Sequence, residues 1–251
     1  MFESCMDPRT ESTQTETHAY VGQELELFAH AENWKRYWAG VVQDYLRGDV
    51  LEVGAGIGAN TRLLLGAHSG EIRRWVSLEP DARLLEQLRS LALARVEPRL
   101  GTLANLGADE LFDAILYIDV LEHIEDHIGE IRRATAHLRP RGHLVVLSPA
   151  HQWLFSEFDA AIGHYRRYTR QSLKAVAQGI TSLRLERLWY LDACGLLASA
   201  ANRLFLRQSS PTLRQILFWD RSLVRCSRLV DPLICHLVGK SVLGVWVRQN
   251  D

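Results

Sequence analysis

Cysteine is scarce in this chain of 251 residues: four are present, Cys5, Cys194, Cys226 and Cys235, and they are scattered. No two form a CxxC pair, and no Cys and His fall at zinc-ligand spacing, so no metal is expected. Free thiols in a reducing compartment are the simplest reading, which points to the cytoplasm. Long hydrophobic runs are missing too. No apolar stretch approaches the roughly 18 residues that span a bilayer. The N-terminus is polar and acidic, unlike a secretory signal peptide. A surplus of either charge is also lacking, since the formal net charge is −1. That argues against a nucleic-acid partner. No internal repeat is found.

What is present is an ordinary globular composition, 47% apolar and 24% charged, long enough for one large domain with a sizeable core. The charge is unevenly spread. Residues 1–30 carry six acids and one Arg, whereas 184–240 carry nine bases and four acids. Residues 1–19 are rich in Ser, Thr and Glu and read as a flexible N-terminus; 20–251 read as a single domain. Residues 20–47 are predicted helical, with Leu25, Phe28, Trp34, Tyr37 and Trp38 on apolar faces. Then apolar strands alternate with helices: "DVLEVGA", a helix from about Ala59, "RWVSLEP", a helix in "DARLLEQLRSLALA", a weaker strand "VEPRLGTL", "FDAILYID", a helix in "EDHIGEIRRATAHL", and "RPRGHLVVLSP". Continuous apolar strands belong to parallel sheets covered on both faces, so the expected fold is a doubly wound, parallel, seven-stranded α/β sheet. After residue 150 comes an aromatic, His- and Arg-rich loop, then a helix capped by Thr169. The strand "LRLERLWYL", a helical insertion over 191–240 and a last strand "SVLGVWVRQ" follow.

The glycines of "LEVGAGIGANT" mark the site. Gly54, Gly56 and Gly58 follow an apolar strand and open a helix, so bare backbone and free amides meet a ligand there. Gly54-x-Gly56-x-x-Ala59 fits a dinucleotide fingerprint. With Glu52, the same glycines fit the E/DxGxGxG pattern of S-adenosylmethionine enzymes. Glu79, ending the second strand, can accept from both ribose hydroxyls of either cofactor. The stretch "YIDVLEHI" separates the two readings. With its terminal Asp119, and with the later "HLRPRGHLVVLSP", it resembles the class I S-adenosylmethionine-dependent methyltransferases, in particular the small-molecule enzymes of ubiquinone-biosynthesis type. The resemblance covers residues 49–150.

That resemblance implies a Rossmann-like fold, S-adenosylmethionine as cofactor and a residue set to hold it. Gly54, Ala55, Gly56 and Gly58 would pass under the methionine and ribose. Glu52 would orient the turn or reach the amino group through water. Glu79 would take the ribose hydroxyls, Pro80 would pack by the adenine, and Ile118 and Asp119 would face the methionyl part. The chain departs from the family after the third strand. There "GTLANLG" has no acid, so Thr102 or Leu103 would border the adenine. An N-terminal helical lid over 20–47 would offer Trp34 and Tyr37 to the sulfonium.

The acceptor would lie beyond strands four and five, beside "SPAHQWLFSEFDAAIGHYRRY". His151 is the first choice for a general base and His164 the second. Trp153, Tyr165 and Tyr168 would form walls, and Arg166 and Arg167 would fix an anionic group. In the insertion, Ile216, Trp219, Leu223, Cys226 and Val230 recur as one apolar helix face beside an arginine stripe of Arg214, Arg221, Arg225 and Arg228. Three readings of 211–230 stand together: a cap over the acceptor pocket, a homodimer surface, or a face for an anionic membrane or lipid-linked substrate. The activity expected is methyl transfer to oxygen or nitrogen, less readily carbon, of a small, bulky or anionic molecule. The alternatives are a protein of this fold that binds S-adenosylmethionine without transferring its methyl, such as a cyclase, and a nicotinamide oxidoreductase.

Overall fold

The computed structural model describes residues 24–67, 72–206 and 211–250; the segment expected to be flexible, 1–19, lies outside them. In chain order the elements are α1 (Glu24–Ala29), α2 (Glu32–Val42), β1 (Gly48–Val53), α3 (Ala59–Ala67), β2 (Ile72–Glu79), α4 (Ala82–Ser90), β3 (Val96–Leu100) and β4 (Phe112–Ile118). Then come α5 (His127–Ala136), β5 (Leu138–Pro149), α6 (Glu157–Ala161), α7 (Arg170–Ala175) and β6 (Leu183–Leu191). The chain closes with α8 (Ala193–Ala201), α9 (Leu213–Phe218), α10 (Val224–Leu233) and β7 (Ser241–Arg248).

The strands form one seven-stranded sheet in the order β3-β2-β1-β4-β5-β7-β6. β1 to β5 pair in parallel. The expectation of a wholly parallel sheet needs one correction, because β7 runs antiparallel to both β5 and β6. The cause is local. The helical insertion returns to the point where β6 ended: the Lys240 amide donates to the Asp192 carbonyl at 3.0 Å. A strand that starts beside the end of its predecessor must run back along it.

Burial explains which strands read clearly. The second half of β1, Val50–Val53, and the run Ala114–Ile118 of β4 are buried without interruption, as an interior parallel strand requires. β3 is an outer strand, half-exposed, and carries Pro98, which an edge tolerates. One core lies on each face. The first joins α2 (Trp34, Trp38 and Val42 on one side) to β1, β4 and the insertion. The second gathers Phe112, Tyr117, Ile131, Tyr168 and Trp246 on the opposite face.

The insertion also corrects the expected apolar face. The buried positions are Ile216, Asp220, Val224, Ser227 and Asp231, while Trp219, Leu223 and Val230 are half-buried and Cys226 is exposed. A π-helical turn at Trp219–Leu223 adds a residue to the turn and displaces the repeat by one. Two aspartates thereby enter the interior. Asp220 accepts from the Trp34 amide at 2.8 Å and the Asn33 side chain at 2.7 Å, capping the start of α2. Asp231 accepts from the Tyr37 hydroxyl at 2.7 Å and from the Asp192 and Ala193 amides at 2.6 and 3.0 Å.

Candidate active site

The chain moves outward from β1 to β3 on one side and from β4 on the other, so a crevice opens past the adjoining ends of β1 and β4. The glycine turn occupies it. Gly54 has φ +68°, and a Cβ there would lie 2.6 Å from the Val120 side chain, the residue after Asp119. Gly58 has φ +78° and would place a Cβ 2.4 Å from Leu88 of α4. Backbone conformation and close approach thus both demand glycine. The amides of Gly54 and Ala55 donate to the Leu78 carbonyl at 2.8 and 3.0 Å, stitching the turn to β2. Above it lies α1, whose Leu25 is the nearest side chain to the Cβ position of Gly56.

Glu79 joins the two turns. Its carboxylate accepts from the Gly56 amide at 2.8 Å and from the Asp81 amide at 2.9 Å. Burial pushes its pKa up, and those two hydrogen bonds pull against it. Glu52 is buried beneath the turn. One of its oxygens accepts from Thr61 Oγ1 at 2.5 Å, Trp75 Nε1 at 3.0 Å and Ser77 Oγ at 3.3 Å. Burial lifts its carboxyl to about 7. It orients the start of α3, and its use as a contact to a ligand amino group gives way to these interior donors. Pro80 is half-buried and leads into Asp81, the N-cap of α4. Of the pair after β3, Leu103 is buried in the core, whereas Thr102 stays half-open and caps a short turn, its amide donating to Asn105 Oδ1 at 2.9 Å. Leu103 packs in the second core, and Thr102 is the more open of the two positions expected beside the adenine.

Ile118 is buried at the end of β4, and Asp119 follows with φ +54° and its side chain open to the crevice mouth. Its amide donates to the Leu147 carbonyl at 2.8 Å, holding it between β4 and β5. The crowding of protein around it raises its carboxyl, while His164, Lys240, Lys35 and Arg167 act in the opposite direction. Lys35 of α2 donates to the Phe28 and Ala29 carbonyls, closing the end of α1, and burial lowers it to about 8.

Trp34 and Tyr37 are buried against the insertion rather than held free for a ligand. Trp34 packs on Trp219 and Tyr37, with centroids at 5.9 and 6.1 Å, and the Tyr37 hydroxyl is taken by Asp231. They bind the lid helix to the insertion, because two buried aspartates there need donors.

Beyond β5 the expected residues separate into two groups. His151 has φ +67°, stacks on Tyr190 at 4.8 Å, and places Nε2 3.0 Å from the Gly239 carbonyl. That bond assigns the proton to Nε2 and leaves Nδ1 as the only acceptor. Burial lowers its pKa. The imidazole whose charge bears on Asp119 is that of His164. His164 Nδ1 lies 3.0 Å from Asp159 Oδ1, and Nε2 lies 3.9 Å from Glu122 Oε1. Asp159 also accepts both branches of Arg167, at 2.8 and 3.0 Å. Burial works against the ionised Asp159, but His164 and Arg167 outweigh it and hold the carboxyl well below its usual range. Glu122 Oε2 accepts from Ser148 at 3.0 Å, whereas Oε1 has no hydrogen-bond partner among the described residues. Burial and the neighbouring Asp119 push Glu122 well up.

Arg166 donates to the Ile124 and Glu125 carbonyls at 2.6 and 3.0 Å, and Tyr168 is buried with its hydroxyl 2.7 Å from His127 Nδ1. Arg166, Arg167 and Tyr168 are thus corrected from substrate contacts to fixtures of the loop. Trp153 and Tyr165 stay about half exposed and remain available as walls.

Four residues of the site escaped the sequence reading. Asp159 carried one signal, the Ser156-x-x-Asp159 capping pattern. Glu122 carried only its place beside His123. The ligand atoms of Glu122, His123 and His164 lie within 4.8 Å of one another, a set able to hold a metal ion that no spacing along the chain reveals. Lys240 carried no signal. Its ammonium sits 4.3 Å over the Trp219 ring and makes no ion pair with a described carboxylate. Lys35 carried no signal either.

Comparisons with known proteins agree with this geometry. Residues 28–180 match the family described as "Methyltransferase domain". A demethylmenaquinone methyltransferase of Tropheryma whipplei (strain Twist) is 29% identical over 165 residues, covering 65% of this chain and 66% of that protein. The match therefore spans just under two thirds of that relative. Among solved structures, the N-methyltransferase NodS of Bradyrhizobium japonicum WM9, in complex with S-adenosyl-L-homocysteine, superposes with a TM-score of 0.54 at 15% identity, covering 88% of each chain. The [4+2]-cyclase SpnF superposes at 0.57 and 15% identity, covering 86% of this chain and 82% of that one. These two likenesses show the fold.

Proposed function

The chain belongs to the methyltransferase-domain family of class I, S-adenosylmethionine-dependent enzymes, and from that premise we propose that it transfers a methyl group to an oxygen, a nitrogen or, less readily, a carbon of a small-molecule acceptor, carbon being the site a quinol ring would offer. One observation carries the proposal: the glycine turn, Glu79 and Asp119 meet at the joined ends of β1 and β4. The residues suit the cofactor. Gly54 to Gly58 offer close backbone approach, and Glu79, held by two amides, keeps lone pairs for a ribose. Asp119 sets a carboxylate where a methionyl ammonium would lie. When bound, S-adenosylmethionine supplies an electrophilic methyl.

The chain's own residues then align the acceptor and take its proton. His164 is the better base. Asp159 fixes its Nδ1–H, which leaves Nε2 as the acceptor, the arrangement by which a carboxylate orients an imidazole. His151 serves as a wall with Trp153 and Tyr165. The relative's name suggests an acceptor built on a quinol ring, bulky and apolar with an ionisable hydroxyl. The test uses methyl-labelled S-adenosylmethionine with reduced demethylmenaquinone as probe. Label in the organic extract, with stoichiometric S-adenosylhomocysteine, is expected. Cofactor binding without any release of S-adenosylhomocysteine would favour the non-transferring reading, for which the cyclase neighbour is the structural precedent.

A further inference from the structure

We infer that the outer face of the helical insertion docks on an anionic lipid bilayer. This goes beyond methyl transfer and stands on separate observations. Six large apolar side chains of the insertion, Leu197, Leu204, Phe218, Leu229, Leu233 and Leu237, are between 61% and 83% exposed. Side chains this open on a folded domain are not scattered by chance here, because they follow the helices. On α10, Leu229 and Leu233 lie one turn apart and opposite the buried Val224, Ser227 and Asp231. Leu197 is on α8 and Leu204 on the π-helical turn Asn202–Leu206 that continues it. α8 and α10 pack against each other, and the loop holding Leu237 continues α10.

Charge identifies the partner. Between Asp192 and Lys240 the sequence has three acids, Asp192, Asp220 and Asp231, and seven bases. All three acids are buried and spent on interior donors. Arg214, Arg221, Arg225 and Arg228 are exposed, and none forms an ion pair with a described carboxylate. The surface is therefore leucine flanked by arginine, with its negative charge withdrawn inside. An apolar phase beneath an anionic layer satisfies both, the leucines entering it and the arginines staying at the headgroups. A second copy does not fit, since a two-fold contact through this face would set arginine against arginine. The same insertion carries Trp219 on its inner side, with the Lys240 ammonium 4.3 Å over its ring.

Vesicle flotation of the full chain tests this without reference to activity. The probes are vesicles of phosphatidylcholine alone and of equal parts phosphatidylcholine and phosphatidylglycerol, at low and high salt. The wild type is expected to float with the anionic vesicles at low salt and to be released by high salt. The triple variant Arg221→Gln, Arg225→Gln, Arg228→Gln should partition on the order of a hundredfold more weakly. Leu229→Ser with Leu233→Ser should lower partitioning at least about tenfold, with the circular dichroism spectrum and S-adenosylhomocysteine affinity unchanged. A wild type that stays with the soluble fraction at low salt, or floats equally well with neutral vesicles, overturns the inference. So does a wild-type dimer in sedimentation that the two serines dissolve, which would give the face to a second copy.

Discussion

The two halves of the site are built differently. From β1 to Asp119 the shaping contacts join neighbours in sequence or adjacent strand ends: Gly56 to Glu79, Glu79 to Asp81, Gly54 against Val120. From Pro149 to Lys240 the loop keeps local ties around Asp159, while the lid and the insertion are joined across distant segments. Trp34 meets Asp220 across 186 positions and Tyr37 meets Asp231 across 194. The difference follows from the task. A cofactor shared by a whole family can be held by backbone and a few carboxylates in a fixed turn. In the proposed reading the acceptor is framed by side chains from the lid, the loop and the insertion, segments that buried aspartates tie together.

Substitutions can sharpen or break that contrast. The largest effect should fall on turnover. His164→Ala is expected to lower the rate about 10²–10⁴-fold, while His151→Ala stays within about tenfold if it only packs. Equal losses in both would merge wall and base. A chelator should leave the rate unchanged; a loss restored by a divalent cation would reassign Glu122, His123 and His164 to a metal.

Next comes stability of the acceptor half. Asp231→Ala strands three buried donors and should cost about 3–5 kcal/mol in urea unfolding. A loss below about 1 kcal/mol would mean that the lid and insertion are joined by apolar packing instead.

A pH effect belongs to the cofactor half. Glu52 titrates at about 7 in the fold against an ordinary 4.5. The native state holds that proton more tightly, so its contribution to stability is lost as pH rises from 4.5 to 7 and is constant above. His123, lowered to about 4 by burial, acts in the opposite sense over a similar range. The difference between wild type and Glu52→Gln isolates the first term and should fall by at most about 3 kcal/mol across the window. A flat difference would mean that Glu52 is ionised at its interior donors throughout.

The same contrast accounts for what the sequence disclosed. The glycine turn, Glu79 and Asp119 were legible because positive φ and strand-end position demand those residue types locally. The alternating elements were legible because interior strands must be apolar, and the boundaries of β6 match "LRLERLWYL" residue for residue. The reversal of β7 was not, since nothing in an apolar strand records its direction. Asp220 and Asp231 were hidden by the π-helical turn, which moved the repeat by one residue and made two apparently solvent-facing acids interior. Arg166 and Arg167 looked free because their partners, the Ile124 carbonyl and the Asp159 carboxylate, are set by tertiary contact.

The central claim is that the joined ends of β1 and β4 form a cofactor site distinct from the acceptor machinery. Calorimetric titration with S-adenosylhomocysteine tests it most directly. The account predicts one site on the wild type, weakened by about 1–3 kcal/mol in Glu79→Ala through lost charge-assisted hydrogen bonds, and kept within about twofold in His164→Ala, where no cofactor contact is removed. No binding to the wild type, or an affinity that collapses in His164→Ala and survives in Glu79→Ala, would contradict it.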